Sequence, residues 1–400
     1  MVVPLLWALL AALALTLSWV TGAAAFAWAA YLMLVIWLVG AIGARLGVRG
    51  LSVTRTLSAD RMALNGQVQV EVKLENRSRL PVLWAAAAEA LPAGLSLRGV
   101  RGRIGPLRPR SEFRFRYTLE GGRRGYYQIG PTVLRTGDLF GIVQRERTGE
   151  ETARLTVFPR IVAIRHARLP SRRPVNEVRV RYRVLEDPTQ VVGIRPYQRG
   201  DGLRRVHWRA TAHTARLQSK LYEVTAQVDT TVLLNLRRAD YAESPADAQE
   251  AAELAIVAAA STAHHLLDCR QRTGLLALAH DPAADGSGLV AVSAGRHRDQ
   301  LTAILSVLGR VELGPAQPIT EALRQAKETF PWGSLLVIVT PRVDNEAMQA
   351  LLGLRNAGLA VSVILVGRAA ELPAEAAGLA ALGIGAARVR SEADVRGLSL

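Results

Sequence analysis

The sequence predicts a membrane-anchored chain of several domains: two N-terminal transmembrane helices, then an all-β sandwich, then a doubly wound α/β domain. Three observations lead to this fold class. No charged residue precedes Arg45, and the first 44 residues are almost continuously apolar. Residues 51–160 contain stretches in which apolar and polar side chains alternate. From residue 229 onward, apolar strands alternate with helices. The predicted domains are a transmembrane helical hairpin (1–44), a β-sandwich (45–160), a basic linker (161–228) and an α/β domain (229–400).

The membrane hairpin is predicted from two uncharged apolar runs, residues 4–20 and 23–42, with Thr21 and Gly22 between them. A bilayer crossing needs roughly 20 apolar residues, with about 17 as the lower limit. One helix over both runs would be too long for a single crossing. A cleaved signal peptide is the alternative, but no basic residue precedes the first run and a second run follows at once.

The orientation of the hairpin is predicted from the charges that follow it. Four arginines flank the second run: Arg45, Arg49, Arg55 and Arg61. Because positively charged flanks stay on the cytoplasmic side, both termini and the bulk of the chain are expected in the cytoplasm of an inner-membrane protein.

The net charge of +16 is unevenly distributed. Residues 45–160 carry +11, residues 161–229 carry +8 and residues 230–400 carry −3. The basic part lies next to the membrane, which favours contact with an anionic lipid surface. The acidic α/β domain is then the expected face for a protein partner. Cys269 is the only cysteine, so the chain has no internal disulfide and no cysteine-based zinc site.

The β-sandwich is predicted from period-two alternation. One run comprises Val68, Val70, Val72 and Leu74, and a second comprises Phe113, Phe115, Tyr117 and Leu119. Turn signals such as Asn65-Gly66 and Gly121-Gly122 separate the runs. Six or seven short strands over this length indicate an immunoglobulin-like sandwich.

The α/β domain is predicted from apolar strands that alternate with helices. The expected strands are 230–236, 274–279, 289–293, 334–340 and 360–367. The expected helices are 245–272, 298–311, 320–330 and 345–358. Such alternation is typical of a largely parallel sheet with helices on both faces.

Sequence motifs exclude several kinds of chemistry. No GxxxxGK[ST] loop, dinucleotide fingerprint, HExxH or GxSxG is present, so the chain is expected to bind no cofactor. The seven histidines are scattered, and the adjacent pair His264 and His265 would not share one helix face. Nucleic-acid binding through the basic segment 165–216 is an alternative. The aromatic platforms that it needs are few, so no nucleic-acid partner is expected.

One dense polar cluster remains, residues 194–223 (IRPYQRGDGLRRVHWRATAHTARLQSKLYE), here called the signature segment. A hydrolase centred on Asp201 and His207 as an acid–base pair is one hypothesis, and it requires hydrogen-bond reach between them. The structural alternative is that Asp201 caps a helix near Leu203 or pairs with an arginine. Trp208 would then pack under the next domain.

The signature segment resembles that of a prokaryotic membrane-protein family, domain of unknown function 58. The matching residues are Gly200, Asp201, Arg204, His207, Trp208, Lys220, Tyr222 and Glu223, whereas Thr211 and His213 replace the usual Ser and Arg. Residues 123–142 and 155–160 also resemble family segments. The resemblance implies association with a MoxR-type AAA+ ATPase, with a transglutaminase-like membrane protein as another partner. It implies a chaperone-like adaptor or assembly factor that is not an enzyme, whose matching residues hold the domain together or dock a partner.

The same resemblance implies that the last domain is similar to a von Willebrand factor A domain. Such a domain binds Mg²⁺ through Asp-x-Ser-x-Ser, a Thr and a further Asp. Here Asn235, Arg237 and Ala239 occupy the first three positions, Thr320 could supply the Thr, and TPRV (340–343) replaces the segment with the further Asp. Because arginines repel a cation and hard oxygen ligands are missing, no metal is expected.

Overall fold

The computed structural model describes residues 2–138, 140–164, 186–198, 201–224, 229–284, 287–367 and 372–398. These residues form two compact units. The first contains residues 1–161 together with His280–Ser287 and Thr302–Glu312, and the second contains the remainder. Each unit is built around its own sheets.

Two apolar helices begin the chain, α1 (Val2–Thr21) and α2 (Ala24–Gly50), and the prediction of both is confirmed. Gly22 connects them with a φ of +67°, a conformation that suits glycine. Both helices are long and apolar enough to cross a membrane. Hardly any of their apolar residues are buried, so they are not core helices of a soluble domain.

The second helix continues to Gly50, beyond the apolar run that ends at residue 42. Ala44, Gly47 and Val48 on this extension are buried, and a Cβ on Gly47 would lie 3.6 Å from Val82. Packing of this helix on strands of the sandwich therefore stabilises the last turns. The membrane anchor passes into the β-sandwich without a flexible linker, because the first strand starts at Leu51.

The sandwich consists of eleven short strands, more than the sequence predicts. They are β1 (Leu51–Leu57), β2 (Arg61–Met62), β3 (Gln67–Asn76), β4 (Val82–Glu89), β5 (Leu95–Gly99), β6 (Gly102–Leu107), β7 (Glu112–Gly121), β8 (Gly125–Ile129), β9 (Thr132–Gly137), β10 (Gln144–Thr148) and β11 (Ala153–Val157). Their sheets have the orders β1-β3-β7-β5, β10-β9-β4-β6 and β2-β11-β8. The predicted alternation on β3 is confirmed, since Val68, Val70, Val72 and Leu74 all lie in the core.

A buried ion pair lies inside this sandwich. The Arg55 guanidinium donates to the Glu89 carboxylate at 2.6 Å, and the two side chains are 1% and 0% exposed. Arg55 also donates to the Ile129 carbonyl and to the Thr132 hydroxyl, each at 2.9 Å. Arg55 therefore cannot contact lipid headgroups, contrary to its expected place in the flank of the membrane hairpin. Arg45 and Arg49 are exposed.

The signature segment and the residues that flank it form a ribbon of two antiparallel strands, β12 (Glu186–Pro196) and β13 (Gln218–Val224). A short helix, α3 (Trp208–Thr214), lies between them in sequence, after a 3₁₀ turn at Leu203–Arg205. Segment 161–228 thus contains regular structure within its described part.

The α/β domain has a six-stranded sheet with the order β16-β15-β14-β17-β18-β19. Its strands are β14 (Thr230–Asn235), β15 (Thr273–His280), β16 (Ser287–Gly295), β17 (Leu335–Thr340), β18 (Ala360–Val366) and β19 (Gly385–Val389). Its helices are α4 (Pro245–Asp268), α5 (Gln300–Arg310), α6 (Ile319–Thr329), α7 (Asn345–Asn356), α8 (Leu372–Ala381) and α9 (Glu392–Arg396). The ladders from β15 to β19 are parallel.

The predicted doubly wound architecture is confirmed. Strand β14 is buried along its whole length. Its Leu233 belongs to a core cluster with residues of α6 and α7, while α4 also packs against β14. The chain leaves β14 toward β15 and later returns to β17 on the other side, so the direction of winding reverses between β14 and β17. Ligands of such sheets bind at the carboxyl ends of the strands at this point.

Candidate functional site

The two strands of the signature segment are joined by backbone hydrogen bonds that extend beyond the ladder. The Tyr197 N–H donates to the Leu217 carbonyl at 2.9 Å, and the His207 N–H donates to the Gln218 carbonyl at 2.8 Å. The Gln218 N–H donates in turn to the Thr211 hydroxyl at 3.0 Å. Thr211 thus accepts this hydrogen bond with its hydroxyl, a group that a serine at this position would also have. These bonds attach α3 to the start of β13.

Asp201 is the polar centre of this segment. Its carboxylate accepts from the Arg195 guanidinium at 2.6 Å, and from the Gln198 N–H and the Ser219 hydroxyl at 3.0 Å each. The Gln198 N–H, and after it the Arg195 and Ser219 side chains, lower the pKa of the Asp201 carboxyl. Pairing with an arginine is thus the correct structural alternative. The helix-cap alternative is wrong, because Gly202 and His207 occupy the cap positions before the 3₁₀ turn and α3.

His207 is the N-cap of α3. Its Nδ1 accepts from the Ala210 N–H at 3.1 Å, so this ring nitrogen carries no proton in that bond. Among the described residues, no hydrogen bond joins Asp201 to His207. The structure gives each of the two residues a separate role in holding the segment together and does not assemble them as an acid–base pair.

Trp208 is 65% exposed, so the expectation that it packs under the next domain is wrong. Four further large apolar side chains of the segment are also exposed: Ile194, Leu203, Leu217 and Leu221. Outside α1 and α2, the described residues include only twelve exposed large apolar side chains, and these five fall within 28 residues. Exposed large apolar side chains are therefore frequent in the signature segment.

The remaining residues of the signature are Gly200, Arg204, Lys220, Tyr222 and Glu223. Arg204 is exposed and Lys220 is half-buried on β13. Gly200 lies outside the described residues. Tyr222 and Glu223 belong to β13, with side chains outside the described part. Sequence reasoning missed Ser219 as a partner of Asp201, since a serine 18 residues away carries no local signal.

A second polar cluster lies at the carboxyl ends of β14 and β17, where the sheet reverses its winding. The buried Asn235 amide donates to the Asp240 carboxylate at 2.9 Å and to the Thr340 hydroxyl at 3.2 Å. The Arg237 guanidinium donates to Asp240 at 3.1 Å, and Arg342 lies 3.7 Å from the same carboxylate oxygen. Burial, with the Asp240 charge second, raises the pKa of Tyr241.

This cluster does not suit a divalent metal. The one carboxylate at its centre already faces two guanidinium groups, and a further cation would be repelled. Ala239 is exposed and offers no ligand atom in its side chain. Thr320 lies in the first turn of α6, and Asp344 accepts from the Ala347 N–H as the N-cap of α7.

We therefore expect millimolar Mg²⁺ to leave the melting temperature of the purified full-length protein unchanged. A ligand at about 100 times its dissociation constant would stabilise the folded protein by about 2.7 kcal/mol, which thermal unfolding detects. The triple variant Asn235→Asp, Arg237→Ser and Ala239→Ser restores the Asp-x-Ser-x-Ser part of the metal-binding pattern and provides the matched comparison. A rise of several degrees in the unsubstituted protein that EDTA reverses would contradict this expectation.

The fold thus defines a membrane-anchored protein with a β-sandwich and a doubly wound α/β domain. Residues 193–382 match a family model described as "Protein of unknown function DUF58". The match begins in β12 and ends just beyond α8, so it includes the signature segment and most of the α/β domain. The predicted resemblance to this family is confirmed over these residues. A comparison with curated proteins found no match.

Several solved structures are similar to parts of this chain. An aerotolerance-related membrane protein from Bacteroides fragilis is 17% identical over 42% of this chain and 93% of its own, with a TM-score of 0.28. A von Willebrand factor type A protein from Catenulispora acidiphila is 11% identical over 45% of this chain and 42% of its own, with a TM-score of 0.29. The CARDB domain of PF1109 from Pyrococcus furiosus is 17% identical over 27% of this chain and 94% of its own, with a TM-score of 0.19. At these scores the likenesses carry no functional argument.

Proposed function

We propose that this protein is a membrane-anchored, non-catalytic adaptor or assembly factor that works through protein–protein contacts with a MoxR-type AAA+ ATPase. The observation that carries the proposal is the exposed Trp208 at the centre of the signature segment. Tryptophan is among the residues that dominate binding energy at protein interfaces. The ATPase as partner comes from the family resemblance, in which a transglutaminase-like membrane protein is a further partner.

The polar residues of the segment support a scaffold role over catalysis. Asp201 is held by three donors and His207 caps a helix, so both are occupied within the segment. What the segment offers to solvent is apolar and basic: Trp208 and Leu203, with Arg204 and Arg209 exposed beside them in sequence. This chemistry suits a partner with an apolar pocket and an acidic rim. The docking face is then the signature segment, and the acidic α/β domain is the competing face.

The proposal includes an orientation, with residues 45–400 in the cytoplasm and α1 and α2 as a two-pass hairpin. The exposed arginines at 45 and 49 support it through the positive-inside rule. A cytoplasmic reporter such as green fluorescent protein, fused at the C-terminus, should be active, and alkaline phosphatase at the same position should be inactive. The reverse pair of results would place the bulk of the chain on the other side of the membrane.

The adaptor function is tested by capture of the tagged full-length protein from detergent-solubilised membranes, followed by mass spectrometry. We expect a AAA+ ATPase among the captured proteins, and its loss when Trp208 is replaced by alanine. His207→Gln keeps a hydrogen-bonding side chain, so it should retain both the partner and complementation of a deletion strain. Stable His207→Gln protein that binds the partner but fails to complement would favour the hydrolase hypothesis, since loss of a general base typically costs about 100-fold or more.

A further inference from the structure

The β9–β10 hairpin of the sandwich ends in a loop, of which residues 138 and 140–143 are described. The buried Asp138 holds this loop, because its carboxylate accepts from the Val143 N–H at 2.6 Å and from the Phe140 N–H at 3.0 Å. The Trp84 indole N–H donates to the Asp138 carbonyl at 3.0 Å. Phe140 nevertheless points outward and is 60% exposed. The loop is thus a firmly held platform for an exposed aromatic ring.

The loop lies against the membrane anchor. The Phe140 ring stacks on Trp7 of α1, with 6.2 Å between ring centroids. A Cβ on Gly40 of α2 would lie 3.0 Å from the Asp138 Cβ, so the helix and the loop touch at a residue with no side chain. Trp7 also donates to the Met33 carbonyl of α2 at 3.2 Å. Both helices therefore contact the tip of the β9–β10 hairpin.

The depth of this hairpin tip follows from helix geometry. Gly40 precedes Arg45, the first charged residue, by five positions, which is about 7.5 Å along a helix. The headgroup zone on each side of a bilayer is only about 5–7 Å thick. If Arg45 lies among the headgroups, the residues that contact Gly40 lie at the boundary between headgroups and acyl chains. Aromatic side chains concentrate at this boundary.

We propose that the tip of the β9–β10 hairpin is a membrane-inserting element, in which Phe140 lies in the phospholipid headgroup–acyl boundary beside Trp7. The occupant of this exposed apolar surface is the bilayer that holds α1 and α2, and the surface is continuous with these helices. Asp138 is buried and its carboxylate accepts two backbone hydrogen bonds, so its polar atoms do not face lipid. Insertion requires this, because an unsatisfied polar group in the bilayer is costly. Arg145, exposed on β10 next to the loop, is placed to meet anionic headgroups. The sandwich is thereby held at a fixed height on the membrane.

The experiment uses the full-length protein with Cys269→Ser, which removes the exposed native cysteine. Phe140→Cys carries an environment-sensitive NBD label at the tip. Thr148→Cys, exposed on the same hairpin and about 14 Å from Gln144 along β10, carries it in the matched control. In nanodiscs of phosphatidylethanolamine and phosphatidylglycerol, the label at 140 should emit at shorter wavelength. It should lose most of its emission when doxyl groups are placed near the top of the lipid chains. The label at 148 should respond to aqueous iodide instead.

Iodide quenching of the label at 140 to the same extent as at 148 would overturn the proposal. So would a label at 140 that neither quencher reaches, because a second copy of the chain would then cover the tip. A second measurement needs no substitution at the tip: a phospholipid with a diazirine near the top of its chain is photoactivated on the wild-type protein. Adducts are expected on residues 138–143 as well as on the two helices. Adducts confined to α1 and α2 would contradict insertion.

Discussion

Replacement of Glu89 by alanine should lower the free energy of unfolding by about 3–5 kcal/mol, because it leaves the Arg55 charge buried without its partner. The two side chains are fully enclosed by the sandwich, and Thr132 donates to the other carboxylate oxygen at 2.6 Å. A domain of about 100 residues loses roughly 4–8 °C of melting temperature per kcal/mol. Thermal unfolding of the full-length protein in detergent, followed by circular dichroism in the β-sheet region, should show the shift.

The sandwich offers a matched control for this variant. Glu146 pairs with Arg135 at 2.7 Å, but these side chains are 51% and 60% exposed. Glu146→Ala should therefore cost no more than about 1 kcal/mol. Substitution of both buried partners, Arg55→Met with Glu89→Leu, should recover much of the loss because no unpaired charge remains. If Glu89→Ala melts within a few degrees of Glu146→Ala, the buried pair contributes far less than its enclosure implies.

The Arg55–Glu89 pair also illustrates what the sequence could not predict. In the sequence, Arg55 is one of four arginines after an apolar run, and nothing distinguishes it from Arg45. Its partner lies 34 residues away on another sheet, and only the three-dimensional arrangement of the strands brings the two together. Burial of a charge is a property of the whole fold, whereas the period of apolar residues is a property of a short window.

Elements with strong local patterns were predicted well. The strand beginning at Thr230 and the helix beginning at Pro245 start where the sequence places them. Elements α8 and β19 are not predicted, because the stretch from Leu372 to Val389 is rich in alanine and glycine and shows no clear period. Helix α9 is not predicted either, since it is only five residues long. Strand β10 was missed because QRERT is wholly polar and exposed, and only pairing with β9 makes it a strand.

For the signature segment, the sequence predicts an arginine partner for Asp201 as one alternative, but it predicts neither which arginine this is nor the exposure of Trp208. Asp201 does pair with an arginine, and this arginine is Arg195 at the end of β12. The local sequence does not distinguish Arg195 from the other arginines of the segment, because its position depends on the pairing of β12 with β13. Trp208 was expected in a packed site because large aromatic side chains are usually buried. Its exposure depends on whether another part of the chain packs against α3, and no pattern within the segment predicts such packing. Because Trp208 is exposed, its substitution is expected to weaken binding of a partner and not to lower the free energy of unfolding.

Trp208→Ala should weaken binding of the partner ATPase by about 30-fold or more while leaving the protein folded. Truncation of an interface anchor costs about 2 kcal/mol or more, and 1.4 kcal/mol is a factor of ten in the dissociation constant. Because the side chain is largely exposed, its loss should change the free energy of unfolding by no more than about 0.5 kcal/mol. Binding is measured with the ATPase identified by capture, against the full-length protein in nanodiscs, beside the melting temperature of each variant.

Trp332 provides the matched control, since it is 59% exposed and lies in the acidic α/β domain that is the competing docking face. If the partner docks on the signature segment, Trp332→Ala should bind normally and Trp208→Ala should not. The opposite pattern would move the docking face to the α/β domain and leave the signature segment with a structural role. A melting temperature that falls by many degrees for Trp208→Ala would instead show that the side chain is packed. Leu203→Ala should then be compared, because Leu203 is also exposed in the signature segment and an interface that includes both residues should weaken when either side chain is shortened.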